Sequence, residues 1–355
     1  MEKLLIKGGS SLSGKISCSG AKNAALPMIA STILSNENVV LKNLPYLQDI
    51  TTMFELLGSM GAEILLDENM DFTISSFNLK DIQARYELVK TMRASILVLG
   101  PLVAKYGKAQ IALPGGCAIG SRPVNYHLDA LRQLGAKIKL KNGYIEASAK
   151  KLIGSNIKFD GITVTGTENI MMAATLAQGM TVLTNVAKEP EIIDLAEMLN
   201  SMGADIKGAG TDKITIKGVS ELSGTTFAIP ADRIEAGTYL AAAAVTNGNI
   251  TIDSINPNRL MKVINMIERS GSKITFDDNS ISISMNKDRP DPVDITTAPF
   301  PEFPTDMQAQ FSVINAISNG VSNIYETVFE NRFMHILELN RMGCDIEVKG
   351  NHAII

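Results

Sequence analysis

Three cysteines in 355 residues, Cys18, Cys117 and Cys344, are too few and too far apart for a disulfide framework, and no two share the spacing of a metal knuckle or redox motif. The three histidines, His127, His335 and His352, are equally scattered and offer no metal-ligand pattern. Excess basic charge is also lacking. Thirty-three Lys and Arg against 37 Asp and Glu give a net charge of -4, which argues against a nucleic-acid partner held by overall positive charge. No apolar run reaches membrane-spanning length, and the opening Met1-Glu2-Lys3-Leu4-Leu5-Ile6-Lys7 is strand-like, without the apolar core of a leader. Gly8-Gly9-Ser10 and Gly115-Gly116 lack the spacing of a P-loop or dinucleotide fingerprint. These absences leave a globular chain expected in a reducing cytoplasm. At 45% hydrophobic and 20% charged, it is long enough for two domains with separate cores.

What the chain has instead is repetition. One helix-to-strand ending recurs as Gly61-Ala62-Glu63-Ile64, Gly135-Ala136-Lys137-Ile138, Gly203-Ala204-Asp205-Ile206, Gly271-Ser272-Lys273-Ile274 and Gly343-Cys344-Asp345-Ile346, at steps of 74, 68, 68 and 72 residues. Five copies of one supersecondary unit fill the sequence, and the period of about 70 residues leads one to expect a sixth beyond Asn351-His352-Ala353-Ile354-Ile355. Without it, apolar faces and strand edges are expected to lie uncovered.

Each copy ends an amphipathic stretch such as Ile192, Leu195, Ala196 and Leu199, so its glycine reads as a helix stop. Alternation in Lys213-Ile214-Thr215-Ile216 and Ser280-Ile281-Ser282-Ile283 predicts half-buried hairpin strands. Upstream lies a second, nearly all-apolar helix, over 24–33, 170–177 and 237–244, followed by a strand such as Val39-Val40-Leu41. The predicted order is strand, helix, strand, helix, strand, strand. Helices that are apolar all round are buried on every side, which places helices inside and sheets outside in two α/β clusters.

Two features carry chemistry. Cys117 sits on the glycine-rich loop Leu113-Pro114-Gly115-Gly116-Cys117-Ala118-Ile119-Gly120-Ser121-Arg122-Pro123, where Arg122 would favour the thiolate. Lys22, Arg93, Glu168, Arg233 and Asp306 fall in register just before the first helix of their modules, where free backbone N–H groups hold anions.

These stretches resemble the enolpyruvyl transferase family, in its UDP-N-acetylglucosamine 1-carboxyvinyltransferase branch, over essentially the whole chain. The matching segments are Ser19-Gly20-Ala21-Lys22-Asn23-Ala24-Ala25-Leu26-Pro27, Leu88-Val89-Lys90-Thr91-Met92-Arg93-Ala94-Ser95, the cysteine loop, Asp232-Arg233-Ile234-Glu235, Phe303-Pro304-Thr305-Asp306-Met307-Gln308-Ala309-Gln310 and Glu326-Thr327-Val328-Phe329-Glu330-Asn331-Arg332-Phe333-Met334. The resemblance implies a two-domain inside-out α/β barrel of repeated modules, with 22–227 as one domain and 1–21 plus 228–355 as the other. It also implies transfer of the enolpyruvyl group of phosphoenolpyruvate to the 3-hydroxyl of UDP-N-acetylglucosamine, opening peptidoglycan synthesis, with no metal or organic cofactor. Its partners are these two small molecules, not nucleic acid or membrane.

By the same resemblance Cys117 is the general acid and the target of fosfomycin, and Asp306 is the base. Lys22, Asn23, Arg93 and Arg122 clamp phosphoenolpyruvate. Arg122, Pro123, Val124, Asn125 and Tyr126 match the uridine segment, and Thr163, Val164, Thr165 and Gly166 the diphosphate-side loop. Asn23, Arg93, Asp306 and Val328 also face the UDP-sugar, with Glu330 a further polar group near the cleft. Three residues depart from the pattern: Asn125 stands where aspartate is common, Tyr126 where leucine is frequent, and Gly161 where some members carry a lysine. The alternatives are the sister enzyme acting on shikimate 3-phosphate, which is not expected to carry the Pro-Gly-Gly-Cys loop, and a non-catalytic relative that binds UDP-sugar.

Overall fold

A computed structural model describes residues 5–90, 92–113 and 124–355. The chain divides into two compact units, Ser19–Pro230, and Met1–Cys18 with Ala231–Ile355. Between them they hold five separate four-stranded sheets built to one plan, and no closed barrel forms among the described residues. In each sheet an outer strand runs parallel to a central strand, and a hairpin completes the other side with antiparallel pairing. In one copy Asn156–Lys158 is the outer strand, Met180–Thr184 the central one, and Asp205–Lys207 with Lys213–Lys217 the hairpin. The same arrangement recurs around the central strands Val39–Lys42, Lys108–Ala112, Asn249–Asp253 and Asn323–Tyr325.

Two sheets borrow their outer strand from a distant part of the chain. Thr226–Ala228, at the end of the first unit, pairs with Val39–Lys42 at its beginning. Ser13–Ser17 pairs with Asn249–Asp253, so the second unit is assembled from both sides of the first in sequence.

The sequence pattern explains these elements. Gly61, Gly135, Gly203, Gly271 and Gly343 all take positive φ, between 92 and 107°, which a side chain would resist and which ends the preceding helix. The apolar helices lie where their composition places them. In Lys22–Ser31 every residue from Ala24 onward is buried, and in Val164–Ala174 every residue from Gly166 onward. Within the first unit these two helices touch each other, and Leu99–Tyr106 packs on Val164–Ala174. In the second unit the counterpart Arg233–Val245 packs on Gln308–Ala316. Helices inside and sheets outside is thus the arrangement found. The last helix, Met334–Arg341, buries only Ile336, and Leu337, Met342 and Val321 stand exposed.

One placement differs from the sequence reading. Glu168 does not precede its helix but lies inside it, because Thr163 is the N-cap, accepting from the Gly166 N–H at 3.2 Å, and the helix begins a turn earlier. Glu168 is 1% exposed. Burial holds its carboxyl well above the usual range, with Glu191 and Glu189 adding to the effect.

A polar hub ties the first unit's buried helices together. The Asn169 side-chain amide donates to Ile96 O and to His127 Nδ1, both at 2.9 Å, while its oxygen accepts from the Gly100 N–H at 2.7 Å. Since His127 Nδ1 accepts, its ring proton sits on Nε2 and the imidazole is neutral. Burial, then the Arg93 charge, depress its pKa to about 4. Asn169→Leu strands three buried polar groups, and chemical denaturation should register a loss on the order of 3 kcal/mol. His127 binds a proton more readily unfolded than folded, so its share of stability is complete above about pH 6.5 and is lost as pH falls toward 4. Urea melts at pH 7 and pH 5 should show that loss, and His127→Gln should shrink the difference.

Candidate active site

In the first unit the candidate residues gather at helix starts. Lys22 is the first residue of Lys22–Ser31, whose N-cap residue Ala21 offers no side-chain cap, and its Nζ lies 3.4 Å from Asp49 Oδ2. Its side chain is 42% exposed, so the ammonium is available to solvent and ligand alike. Asn23 follows it and is exposed. Arg93 opens the short helix Arg93–Val98, close enough to His127 for its charge to act on the ring.

Val124 stands at the N-cap of Asn125–Gln133, with Asn125 exposed and Tyr126 half-buried. Thr163, Val164, Thr165 and Gly166 form the start of Val164–Ala174, and Thr165 Oγ1 lies 3.4 Å from His127 Nε2. Three of these helix starts therefore meet around His127. Each presents the positive end of a helix dipole, a setting suited to phosphate and carboxylate. Cys117, Arg122 and Pro123 lie outside the described residues.

Two departures from the family pattern turn out to be neighbours. A Cβ on Gly161 would stand 2.7 Å from Tyr126 Oη and 3.2 Å from its ring carbon, so the tyrosine takes the space that any side chain at 161 would enter. Glycine and tyrosine are here a matched pair.

In the second unit Asp306 lies in the single turn Thr305–Met307, capped onto Gln308–Ala316. Its Oδ1 accepts from Arg332 Nη2 at 2.6 Å. Arg332, which sequence reasoning quoted but did not single out, lies over the Phe329 ring at 5.4 Å and keeps Nη1 without a partner among the described residues. Val328 is half-buried and Glu330 exposed beside it. The pairing of 306 with 332 is a tertiary contact, and no spacing in the sequence announces it.

Cys18 is buried, and desolvation, then Glu235 and Asp232, push its thiol up to about 12, where a thiolate does not form at neutral pH. Among the described residues no group of three or more His, Cys, Asp or Glu could hold a metal ion, and no helix is long and apolar enough to cross a membrane.

Residues 6–355 match the profile of the EPSP synthase (3-phosphoshikimate 1-carboxyvinyltransferase) family. The UDP-N-acetylglucosamine 1-carboxyvinyltransferases of two Coxiella burnetii strains are each 54% identical to this chain over 356 residues, spanning 100% of it and 82% of their own length. Among solved structures, the enolpyruvyl transferase NikO from Streptomyces tendae superposes with a TM-score of 0.85 at 22% identity, covering 98% of this chain and 82% of its own. EPSP synthase from Acinetobacter baumannii does so at 0.71 and 19%, with the same coverage. Those two likenesses speak to the fold alone, whereas the profile and the 54% relatives speak to descent: the chain belongs to the enolpyruvyl transferase family and stands with its UDP-N-acetylglucosamine 1-carboxyvinyltransferases.

Proposed function

We propose that this chain transfers the enolpyruvyl group of phosphoenolpyruvate to the 3-hydroxyl of UDP-N-acetylglucosamine with release of phosphate, as a cytoplasmic enzyme of cell-wall synthesis. The observation that carries the reading is 54% identity along the whole chain to enzymes of that name. The sister reaction on shikimate 3-phosphate is the weaker reading, because the sequence keeps the Pro114-Gly115-Gly116-Cys117 segment. We take the two compact units as the family's two domains.

The roles follow from the chemistry. The sugar oxygen attacks C2 of phosphoenolpyruvate as its proton passes to a base, while an acid delivers a proton to the C3 methylene. Loss of a proton from C3 then restores the double bond as the C2–O bond to phosphate breaks. Asp306 is the base: Arg332 occupies Oδ1, which leaves Oδ2 for the incoming hydroxyl. Cys117 is the acid. Lys22, Arg93 and Arg122 hold the phosphate and carboxylate as fixed cations, with Asn23 beside Lys22. The segment 122–126 takes the uridine and 163–166 the diphosphate, the latter at the positive end of its helix, and Val328 lies against the sugar.

Phosphate release from phosphoenolpyruvate tests the whole reading. UDP-N-acetylglucosamine should support it and shikimate 3-phosphate should not; the reverse preference moves the chain to the sister activity. Asp306→Asn should lower kcat on the order of 10³-fold with the protein still folded. Fosfomycin should add one adduct by intact mass to the wild type, to Cys18→Ser and to Cys344→Ser, and none to Cys117→Ser. Gly161→Ala should raise KM for the UDP-sugar through the clash with Tyr126, and Tyr126→Leu in the same chain should bring it back.

A further inference from the structure

The residue that follows the central strand has one job in two modules and a different one in the last. After Val39–Lys42 comes Asn43, whose side-chain amide donates at 2.9 Å to Ile229 O, the first residue after the parallel outer strand. After Met180–Thr184 comes Asn185, which donates at 2.8 Å to Phe159 O in the same relation. In both, the partner's N–H also closes the strand pair by donating to the last central-strand carbonyl, Ile229 to Lys42 at 2.9 Å and Phe159 to Thr184 at 3.1 Å.

The last module keeps the backbone bond, Thr297 N–H to Tyr325 O at 2.9 Å, but the asparagine position is Glu326. An amide that donates has become a carboxylate that can only accept.

Everything around Glu326 answers that change, and the residue is 2% exposed. Its Oε1 accepts from Thr297 Oγ1 at 2.7 Å, from the Val328 N–H at 2.8 Å and from the Phe329 N–H at 3.2 Å. Its Oε2 accepts from Thr305 Oγ1 at 2.8 Å. One carboxylate therefore binds three segments: the end of the outer strand, the turn that carries Asp306, and the 328–329 backbone that leads to Arg332. Asp306 and Arg332 are the two ends of the ion pair on the far side of the same junction. Four charge-assisted hydrogen bonds on a buried carboxylate make a stiff joint, stronger than the single amide bond of the two asparagine modules.

We infer that Glu326 is a positioning residue: through Thr305 and the 328–329 backbone it fixes Asp306 against Arg332 and so sets the orientation in which the carboxylate meets the sugar hydroxyl. The inference rests on the role proposed above for Asp306. It explains why this position, an asparagine in two modules, carries a charged residue only in the module that carries the proposed base.

The test reads phosphate release with both substrates varied, for wild type, Glu326→Ala, Glu326→Gln, Thr305→Val, Thr305→Ser and the Glu326→Ala/Thr305→Val double variant, with each protein's folded fraction measured by urea melt. Positioning predicts that Glu326→Ala and Thr305→Val each lower kcat of the folded enzyme by about 30-fold while both KM values stay within about threefold, since misplacement of a base by a fraction of an ångström has that scale. Glu326→Gln retains Oε1 for three donors, and its amide can donate to a turned Thr305 hydroxyl; it and Thr305→Ser should recover kcat to within about threefold of wild type. The double variant should be no worse than the poorer single one, because both break one joint.

Equal loss in the conservative and truncated variants, multiplying losses in the double, or a fall in melting midpoint with kcat per folded molecule unchanged would each overturn the inference. A wild type that turns over beside unaffected variants removes the joint alone; a folded wild type that releases no phosphate removes the catalytic reading on which it stands.

Discussion

A helix buried on every side can meet water and ligands only at its ends, and that constraint organises the molecule. The sides of Lys22–Ser31 and Val164–Ala174 are committed to packing, so the polar demands of each fall on its first turn. Lys22 and Thr163 stand there, and Arg93 opens a short helix of its own. Where a polar group does fall within the packed bodies, it is answered inside the protein. Asn169 makes hydrogen bonds to three partners across helices, and His127 stays neutral to take part. The candidate residues sit at helix starts because the rest of each helix is occupied with holding the unit together.

Modularity then supplies variations on one theme. The same strand plan is used five times, and in two of the modules the residue after the central strand is an asparagine that joins two strands. In the last module the equivalent junction gathers two threonines and two backbone N–H groups on one carboxylate, beside the Asp306–Arg332 pair. A repeat that serves stability in one place is thus elaborated in another without altering the backbone bond beneath it.

The architecture was largely legible from period and composition. Five glycines at regular steps mark five positive-φ helix stops, and all-apolar stretches mark buried helices, because both signals are local. Glu168 was misplaced by a turn because Thr163, a weaker signal than a charged residue, decides where that helix begins. The relation of Arg332 to Asp306, of Glu326 to Thr305, and of Tyr126 to Gly161 could not be read. Each joins segments 20 or more residues apart whose proximity depends on the fold, and the shortest separation, between Thr305 and Glu326, is 21 residues.

The two borrowed outer strands impose an order on how the chain acquires its structure. Asn43 and Ile229 are 186 residues apart, and Leu12 and Thr246, joined by a hydrogen bond beside the other borrowed strand, are 234 apart. On a ribosome delivering residues one by one, Ser13–Ser17 emerges early and waits, unpaired, until the whole of Ser19–Pro230 and the helix after it have appeared. The first unit can close its opening sheet as soon as Thr226–Ala228 is made, so it can mature before its neighbour has a complete sheet. The nascent polypeptide therefore carries a short, solitary edge for most of its synthesis, and its few polar residues, Ser13, Lys15 and Ser17, keep that edge from pairing with the wrong strand while it waits.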